Sequence, residues 1–462
     1  MRGAALLSVL LLAPAVAALL GRADPPNPQR RTAALSGLAG LVATVLPTVL
    51  PHNAAAETNT AMPVSKAAAE PQEWLAFASA ETYTVVTDAT KTMQPSVRPT
   101  PPAEIAYELG ASAKRAIFLG EHHDAPADHL LQASLIRELH RKRPKMAVGL
   151  EAVQSRFQPA LDAYIAGEIS AAELEAAVEW RKRWFWPFAG YLPVFQACRD
   201  LRIPLLALNV DSEDLSMVET GGLPALPEST LRRYVPDGLG FSRFASTTAF
   251  KEYVAYIVKP SYTMHERMGI LRTTITGQQL ETPMAFRNFF SGRILWDEAM
   301  ASASASWCSA NPDGLLVGLV GSDHVKFGCG VPARTARMLP GGLSSVASVM
   351  LNPTSADTVS DPSTGTLSDG TRMPQRERNF GRGPDGRVNF GNYVLQLRYA
   401  PVAGDNGPPI VGSKPEDVVQ AVSMSQASTG SSVLALADYL VFTTPLPTTT
   451  YTWQPATGPA NA

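Results

Sequence analysis

The chain has 462 residues, a formal net charge of -2 and a pI near 6.4. This balance excludes the basic surface that nucleic-acid binding requires. The three cysteines, Cys198, Cys308 and Cys329, are too scattered for a disulfide framework or a zinc knuckle, so we expect buried thiols in one large domain with processed or decorated ends.

The N-terminus, residues 1–56, is predicted to be a removable targeting region. Arg2 precedes an uncharged run over 4–20, the pattern of a secretory signal. Next, Arg30-Arg31 precedes a mildly apolar run and a small-residue exit, the pattern of a twin-arginine signal. Two signals in series resemble the targeting of thylakoid-lumen proteins in algae whose plastids are reached through the secretory system, and would leave no membrane span after processing. The alternatives are a signal peptide with a membrane anchor, or a secreted bacterial protein.

The predicted elements that follow alternate between short apolar strands and helices. Strands are predicted over 116–120, 146–150, 203–209, 315–320 and 345–351. Helices are predicted from an N-cap at Asp124, with Pro126 in the first turn, to about 142, and over 158–166, 170–183, 191–202, 245–258, 284–306 and 332–338. Such alternation favours a mostly parallel sheet covered on both faces. We therefore predict an α/β fold, a three-layer α/β/α domain with a mostly parallel central sheet.

This α/β domain is predicted to span residues 104–351, after a linker and lead-in over 57–103. Residues 352–389 are rich in Gly, Pro, Ser, Thr, Asp and Arg, which is typical of a flexible insertion. The remaining chain is divided into C-terminal strands within 390–446, at 393–399 and 439–442, which complete the sheet edge, and a tail over 447–462.

Two Gly-x-x-His phrases, Gly120 to His123 and Gly321 to His324, stand at the ends of predicted strands. The carboxyl ends of strands in an α/β fold open onto one crevice, so we expect the two histidines to converge there. With Glu151, which ends another strand, they form a set that commonly holds a catalytic divalent metal ion. The alternative is that these side chains only hydrogen-bond the loop backbone.

Further carboxylates accompany these phrases. Glu121 is predicted to be another metal ligand or the general base that takes a proton from a metal-bound water. Asp323 or Asp124 is predicted to orient a ligand histidine by accepting its second N–H.

Eight phrases in order carry a family resemblance. They are Gly120-Glu-His-His-Asp124, Gly149-Leu-Glu151, Tyr191-Leu-Pro193, Ala207-Leu-Asn209, Trp296-Asp-Glu-Ala-Met-Ala301, Gly321-Ser-Asp-His324, Gly328-Cys-Gly-Val-Pro332 and Asp438-Tyr-Leu-Val-Phe442. The chain thereby resembles ChaN-like haem-binding proteins over about 105–351 and again at 435–444. That family stands with Tiki-type proteases and erythromycin esterases in a wider superfamily.

The resemblance implies two different chemistries. The ChaN branch carries haem for iron uptake, binds it at a dimer contact and uses a tyrosine as an iron ligand. The Tiki branch uses Gly-x-x-His phrases and an acidic residue to hold a divalent metal for peptide hydrolysis. The insertion at 352–389 and the histidine pair His122-His123, where the family often has an aromatic residue, depart from the pattern.

For haem, the resemblance directs attention to the aromatic and cationic stretch 180–191. Trp184 could stack on a porphyrin and Arg183 could pair its propionates. Candidate iron ligands are the phenols of Tyr191 and Tyr164 and the imidazole of His129. The alternative explanation of these aromatics is core packing.

Two hypotheses therefore stand. The first is a ChaN-like protein that carries or buffers non-covalent haem in iron homeostasis, with a homodimer implied by the resemblance. The second is a metal-dependent hydrolase, a Tiki-like peptidase or esterase, that uses His123, His324 and Glu151. The remaining polar residues are interpreted more plainly: His265 has no partner phrase nearby, Trp296 is expected to pack in the core, and Asp297 is a lesser candidate for the crevice.

Overall fold

The structure is a computed structural model of the chain. It describes residues 75–86, 96–244, 258–354 and 432–444, together with residues 247, 250, 254, 357, 381–382, 387–389 and 397–399. The predicted targeting region 1–56, the tail 447–462, and most of both the insertion 352–389 and the helix predicted over 245–258 lie outside the described residues.

The domain is built on an eight-stranded sheet of order β2-β1-β12-β7-β3-β6-β4-β5. The six strands from β12 to β5 run parallel, and β1 and β2 add an antiparallel edge. The strands are β1 (Glu81–Val86), β2 (Ser96–Pro99), β3 (Ala116–Glu121), β4 (Met146–Gln154), β5 (Leu205–Asn209), β6 (Leu315–Gly321), β7 (Val346–Leu351) and β12 (Tyr439–Phe442). Two small ribbons pair β8 (Gly381–Arg382) with β9 (Val388–Asn389), and β10 (Leu397–Tyr399) with β11 (Ser432–Leu434).

Helices connect the strands. They are α1 (Pro102–Leu109), α2 (Pro126–Lys142), α3 (Gln158–Ala166), α4 (Ala171–Ala177), α5 (Trp180–Arg183), α6 (Phe188–Asp200), α7 (Ser212–Gly221), α8 (Glu228–Tyr234), α9 (Gly238–Phe244), α10 (Lys259–Arg267), α11 (Phe286–Ala310) and α12 (Val331–Met338). None of the helices that the structure describes is long and apolar enough to cross a membrane.

The apolar side chains of the strands alternate between two cores, one on each face of the sheet. In β3, Ile117 and Leu119 pack into the core that contains α1, α2, α3 and α6, whereas Phe118 packs into the core beneath α7, α11 and α12. Every residue of β3 and of β6 is buried. The predicted α/β fold with a mostly parallel, doubly covered sheet is therefore confirmed.

The edges of the domain differ from the prediction. The lead-in 57–103 contains β1 and β2, which belong to the main sheet. Within the segment predicted at 393–399, the described residues 397–399 form β10, which pairs with β11 outside the main sheet. The strand at 439–442 joins the main sheet, but it lies between β1 and β7 rather than at an edge.

The helix predicted over 170–183 is interrupted. Ser170 and Glu173 form the expected capping box at the start of α4. The helix then ends at Ala177, because Glu179 has a left-handed backbone with φ of 51°. The resulting turn presents Arg183 and Trp184 to the sheet's carboxyl edge, where the candidate site lies.

Candidate functional site: a histidine pair beside an aromatic cleft

The two Gly-x-x-His phrases meet at the carboxyl edge of the sheet. Strands β3 and β6 are paired neighbours, with Glu121 opposite Gly321. His123 follows β3, and His324 lies in the short helical turn that follows β6. Glu151 lies in β4 on the other side of β6, so three adjacent strands deliver their polar side chains to one buried cluster.

Glu121 organises one half of the cluster. Its Oε1 is 2.8 Å from His123 Nδ1 and accepts a hydrogen bond of 2.8 Å from the Tyr191 hydroxyl, while the Gln132 amide donates to Oε2. Burial alone would raise the pKa of this carboxyl. The hydrogen bonds and charges of His123 and His129 outweigh burial and hold the pKa well below its usual value. Glu121 is therefore the carboxylate that orients His123.

Asp297 plays the equivalent part for His324. Asp297 Oδ1, on α11, is hydrogen-bonded to His324 Nδ1, and both side chains are fully buried. Burial and the nearby Arg293 lower the pKa of His324, but the carboxylates of Glu151 and Asp297 dominate and raise it to about 9. Because its pKa is raised, the His324 imidazole is protonated at neutral pH.

His123 Nε2 has no hydrogen-bond partner among the described residues, and neither do Asp297 Oδ2 and Gln132 Oε1 in the same cluster. Glu151 Oε1 and His324 Nε2 form an ion pair at 3.2 Å, without the geometry of a good hydrogen bond. The other oxygen of Glu151, Oε2, accepts a hydrogen bond of 2.6 Å from the Gly321 backbone. Buried polar atoms are normally satisfied, so unpaired atoms at this point indicate a place for a water, an ion or a reacting group.

Gly321 makes this close arrangement possible. A Cβ atom on Gly321 would lie 2.6 Å from His123 Nε2 and 3.5 Å from Glu151 Oε2. Even with this approach, no group of three or more His, Cys, Asp or Glu side chains in the described part of the chain could hold a metal ion. The arrangement can nevertheless hold and move protons, since each imidazole is backed by a carboxylate.

Tryptophan rings form a wall on one side of the histidine pair. The His123 ring lies 4.2 Å from the Trp186 ring and 5.1 Å from the Trp184 ring, centroid to centroid. The Trp296 ring lies 5.5 Å from the His324 ring. All three tryptophans also line an adjoining cleft of about 850 Å³, a volume that includes its open mouth.

The cleft is mainly apolar, with a few polar side chains in its wall. Its wall comes from the 183–186 turn, from α7, α10 and α11, and from the segment between α10 and α11. Arg183 and Arg293 are the cationic residues that line the cleft, and the side chains of Glu219 and His265 line it as well. Burial raises the pKa of Glu219 to about 8, against a hydrogen bond from the Ile275 backbone that lowers it. A ligand in this cleft would therefore meet flat apolar rings and two guanidinium groups.

His265 is held in one tautomer. Its Nδ1 lies 2.6 Å from the carbonyl oxygen of Ser261, one helical turn earlier in α10, and its ring packs edge-on against Phe289 at 4.7 Å. Burial lowers the pKa of His265 to about 4, and the nearby Arg293 acts in the same direction, against the hydrogen bond to Ser261. The imidazole is therefore neutral at physiological pH.

The structure brings four predicted site residues together: Glu121, His123, Glu151 and His324. The orienting carboxylates differ from those predicted. Asp323 pairs with Lys326, and Asp124 is exposed, so Glu121 and Asp297 orient the histidines instead.

The predicted haem residues divide into two groups. Arg183 and Trp184 line the cleft as expected of them. Tyr191, Tyr164 and His129 are 2%, 2% and 1% exposed and do not line it. The Tyr191 hydroxyl is committed to Glu121, and burial together with that carboxylate raises its pKa well above the usual value, which opposes phenolate formation.

Tyr164 and His129 are also buried away from the cleft. Tyr164 packs beneath α6, with its ring 6.0 Å from the Phe195 ring and 4.8 Å from the Arg199 guanidinium. The His129 ring lies 4.0 Å from the Tyr191 ring, and its Nε2 is 3.8 Å from Glu121 Oε2, although neither ring nitrogen has a hydrogen-bond partner among the described residues. Burial disfavours direct iron coordination by any of these three side chains.

Sequence reasoning missed several residues of the site. Asp297 was rated a lesser candidate and Trp296 a core residue, although Asp297 orients His324. Trp186 and Arg293 were not singled out, and His265 was set aside for lack of a neighbouring phrase. The spacing of Arg293 and Asp297, four residues apart on one helix face, was a usable signal for a shared surface.

Comparison with known proteins places this geometry in a family. The model of a family described as haem-binding uptake, Tiki superfamily, ChaN matches residues 110–335. The match covers just under half of the chain and, over this range, bears out the resemblance to ChaN-like proteins that the sequence phrases indicate. The matched range holds Glu121, His123, Glu151 and His324, and the whole lining of the cleft.

The proteins that match this chain share little sequence identity with it. The chain is 26% identical over 256 residues to Protein RETICULATA-RELATED 5, chloroplastic, of Arabidopsis thaliana, a match that covers 52% of this chain and 31% of that protein. The chain thus spans about a third of the length of this curated relative.

Two solved structures show weak overall likeness. One describes cofacial heme binding to ChaN of Campylobacter jejuni, with 17% identity, a TM-score of 0.40, and 59% of this chain and 91% of that chain covered. The other is a mutant of the erythromycin esterase EreC in its open conformation, with 13% identity, a TM-score of 0.34, and 74% and 93% covered.

Proposed function

We propose that this protein binds haem non-covalently in the aromatic cleft and carries or buffers it. The observation that carries the proposal is the cleft wall, in which three tryptophan rings and two arginines face one apolar volume. The match of residues 110–335 to the haem-binding ChaN family model supports haem as the ligand.

The residues present fit the chemistry of the group. Flat aromatic rings stack well on a porphyrin, and guanidinium groups form strong paired hydrogen bonds with carboxylates such as the propionates. Arg183 already pairs with Glu213 at 2.8 Å and with Glu179 at 2.8 Å, so a propionate would exchange with those carboxylates. A bound haem would supply an iron centre, while the protein side chains would hold it and exclude water.

The proposal extends to cell location and assembly. The Arabidopsis relative is named as chloroplastic, which supports a plastid for this chain as well. The two N-terminal signals then favour the thylakoid lumen, with a role in iron homeostasis, and the superfamily resemblance favours a homodimer.

Filling the cleft tests the haem site. Thr273 lines the cleft and is half-buried, so Thr273→Trp adds an indole to the volume that haem would take. We expect the haem affinity of the full chain, measured by titration at the Soret band, to fall at least about tenfold, equivalent to about 1.4 kcal/mol.

The matched control is Gln278→Trp, an exposed position in the same segment that does not line the cleft. Its haem affinity should equal that of the wild type. Equal affinity for both tryptophan variants would rule out the cleft as the haem site.

The second candidate is a metal-dependent hydrolase at the histidine pair. The observation that favours it is the buried Nε2 of His123, which has no hydrogen-bond partner among the described residues, beside the ion pair of His324 Nε2 with Glu151 Oε1, since imidazole nitrogens and carboxylate oxygens are zinc ligands. Holding an ion would require those side chains to move, because their present arrangement does not form a metal site.

Zinc binding tests the hydrolase hypothesis. If the hydrolase hypothesis holds, equilibrium dialysis of the full chain should give about one zinc per chain, and both His123→Gln and Glu151→Gln should reduce the affinity at least about tenfold. His140→Gln, on the end of α2, is the control and should leave binding unchanged. Unchanged zinc content in the first two variants would eliminate the hydrolase.

A further inference from the structure

His265 is the histidine of the cleft wall. It lies near the end of α10, in the segment 259–267, and its imidazole lines the same volume as Trp186 and Trp296. The histidine pair at the sheet edge, in contrast, lies behind the tryptophan wall and does not line the cleft. His265 is thus placed where a ligand of the cleft would meet it.

The hydrogen bond of His265 determines which ring nitrogen is available. A backbone carbonyl only accepts hydrogen bonds, so the contact of 2.6 Å to the Ser261 oxygen requires the proton on Nδ1. The neutral ring therefore carries its lone pair on Nε2. This is the arrangement in which metal-binding histidines are typically held, because the donated N–H fixes the tautomer and ring orientation and makes the other nitrogen more basic.

Few alternatives compete for an iron atom in the cleft. Among the residues that line it, His265 and Met284 carry side chains of the types that hold haem iron. Met284 is a weaker ligand whose side chain is largely buried, at 5% exposure. The three cysteines and the candidate tyrosines are buried elsewhere.

We propose that Nε2 of His265 would bind the iron of a haem held in the cleft. The inference rests on the proposed haem-binding function and assigns the iron ligand to a residue outside the eight phrases that carry the family resemblance. The Phe289 ring packs edge-on against the imidazole, and Arg293, on the same helix α11, lines the cleft and would offer a cation to a propionate.

The test is spectroscopic and uses the full chain. Ferric haem is added to the wild type and to His265→Ala, and the Soret band, the electron paramagnetic resonance spectrum and the affinity are recorded. We expect the imidazole-ligated spectrum of the wild type to be lost in His265→Ala, with an affinity at least about tenfold lower. Added free imidazole should restore the wild-type spectrum in the variant, because it occupies the vacated ligand position.

Two further variants make the result interpretable. His140→Ala, a partly exposed histidine on α2, should retain the wild-type spectrum. His265→Tyr should bind haem with a phenolate-type spectrum, which keeps the assignment testable should the alanine variant fold poorly. A wild-type spectrum in His265→Ala or His265→Tyr would overturn the assignment while leaving haem binding intact, whereas no saturable haem uptake by the wild type would overturn both.

Discussion

Replacing Arg334 with methionine is expected to lower the free energy of unfolding by about 3–5 kcal/mol. Arg334 Nη1 donates to Glu298 Oε2 at 2.9 Å, and both side chains are almost fully buried between α11 and α12. The guanidinium also lies 4.6 Å from the centre of the Phe244 ring. Without Arg334, the buried carboxylate of Glu298 loses one of its three hydrogen bonds to guanidinium groups and keeps Arg337 as its cationic partner among the described residues.

Urea unfolding followed by circular dichroism measures this loss. The control is Arg232→Met, which breaks an ion pair with Glu228 that is exposed on both sides and should cost less than about 1 kcal/mol. The double variant Arg334→Met with Glu298→Met should recover part of the stability, because it removes the unpaired charge as well. Equal losses in Arg334→Met and Arg232→Met would contradict the interpretation.

The Glu219→Gln variant is expected to be more stable than the wild type at pH 8, by about 2–3 kcal/mol. The pKa of Glu219 is raised to about 8 in the folded protein, whereas an unfolded glutamate titrates near pH 4.3. Between these two values the folded chain retains a proton that the unfolded chain has released. Wild-type stability should therefore decline as pH rises through this window and level off above pH 8.

Glutamine keeps the acceptor for the Ile275 backbone N–H, at 2.7 Å in the wild type, but has no proton to lose. The gain should vanish at pH 4, where the glutamate is protonated in both states. The expected gain in stability is smaller than the full free-energy equivalent of the pKa shift, because the Glu219 side chain is partly exposed to the water of the cleft.

Glu213→Gln on the same helix is the matched control for sign. Burial acts to raise the pKa of Glu213, but its hydrogen bonds and the charges of Arg183 and Arg156 dominate and lower it. Its contribution to stability is therefore present above pH 4.3 and lost in acid, so glutamine at 213 should destabilise the protein at neutral pH. Thermal unfolding curves from pH 4 to pH 9 compare the two variants, and an unchanged profile in Glu219→Gln would refute the raised pKa.

The central sheet and the histidine pair were predictable from the sequence because they depend on local patterns. Strands β3 and β6 are continuous apolar runs, and a parallel sheet brings the ends of such strands to one edge. His123 and His324 directly follow those runs, so their convergence required only that the two strands be neighbours. Glu121 was likewise identifiable from its place at the end of β3.

The edge strands were not predictable on the same terms. β1, with the sequence Glu81-Thr-Tyr-Thr-Val-Val86, is only partly buried and pairs with β12, whose residues begin more than 350 positions later in the chain. Short strands of this kind are determined by their partners rather than by their own composition.

The cleft was missed for a related reason. Its wall combines the 183–186 turn, α7, α10 and the segment that leads into α11, and no periodic pattern links these parts. His265 has no local motif, and its significance comes entirely from the Ser261 carbonyl and the cavity beside it. For Tyr191 the sequence was misleading in the other direction. Its position in an aromatic run predicts an accessible iron ligand, whereas in the structure its hydroxyl is buried and donates a hydrogen bond to Glu121.

The position of β12 inside the sheet has a consequence for biogenesis. A ribosome that has delivered everything up to Leu351 has made the parallel core and the antiparallel pair β1-β2, but not the strand that joins them. Until residues 439–442 emerge, β1 and β7 each present unpaired backbone groups that invite pairing with another nascent chain. The nearly ninety residues between β7 and β12 must therefore be synthesised before the sheet can be completed. We expect truncated or slowly translated chains to depend on chaperones during that interval.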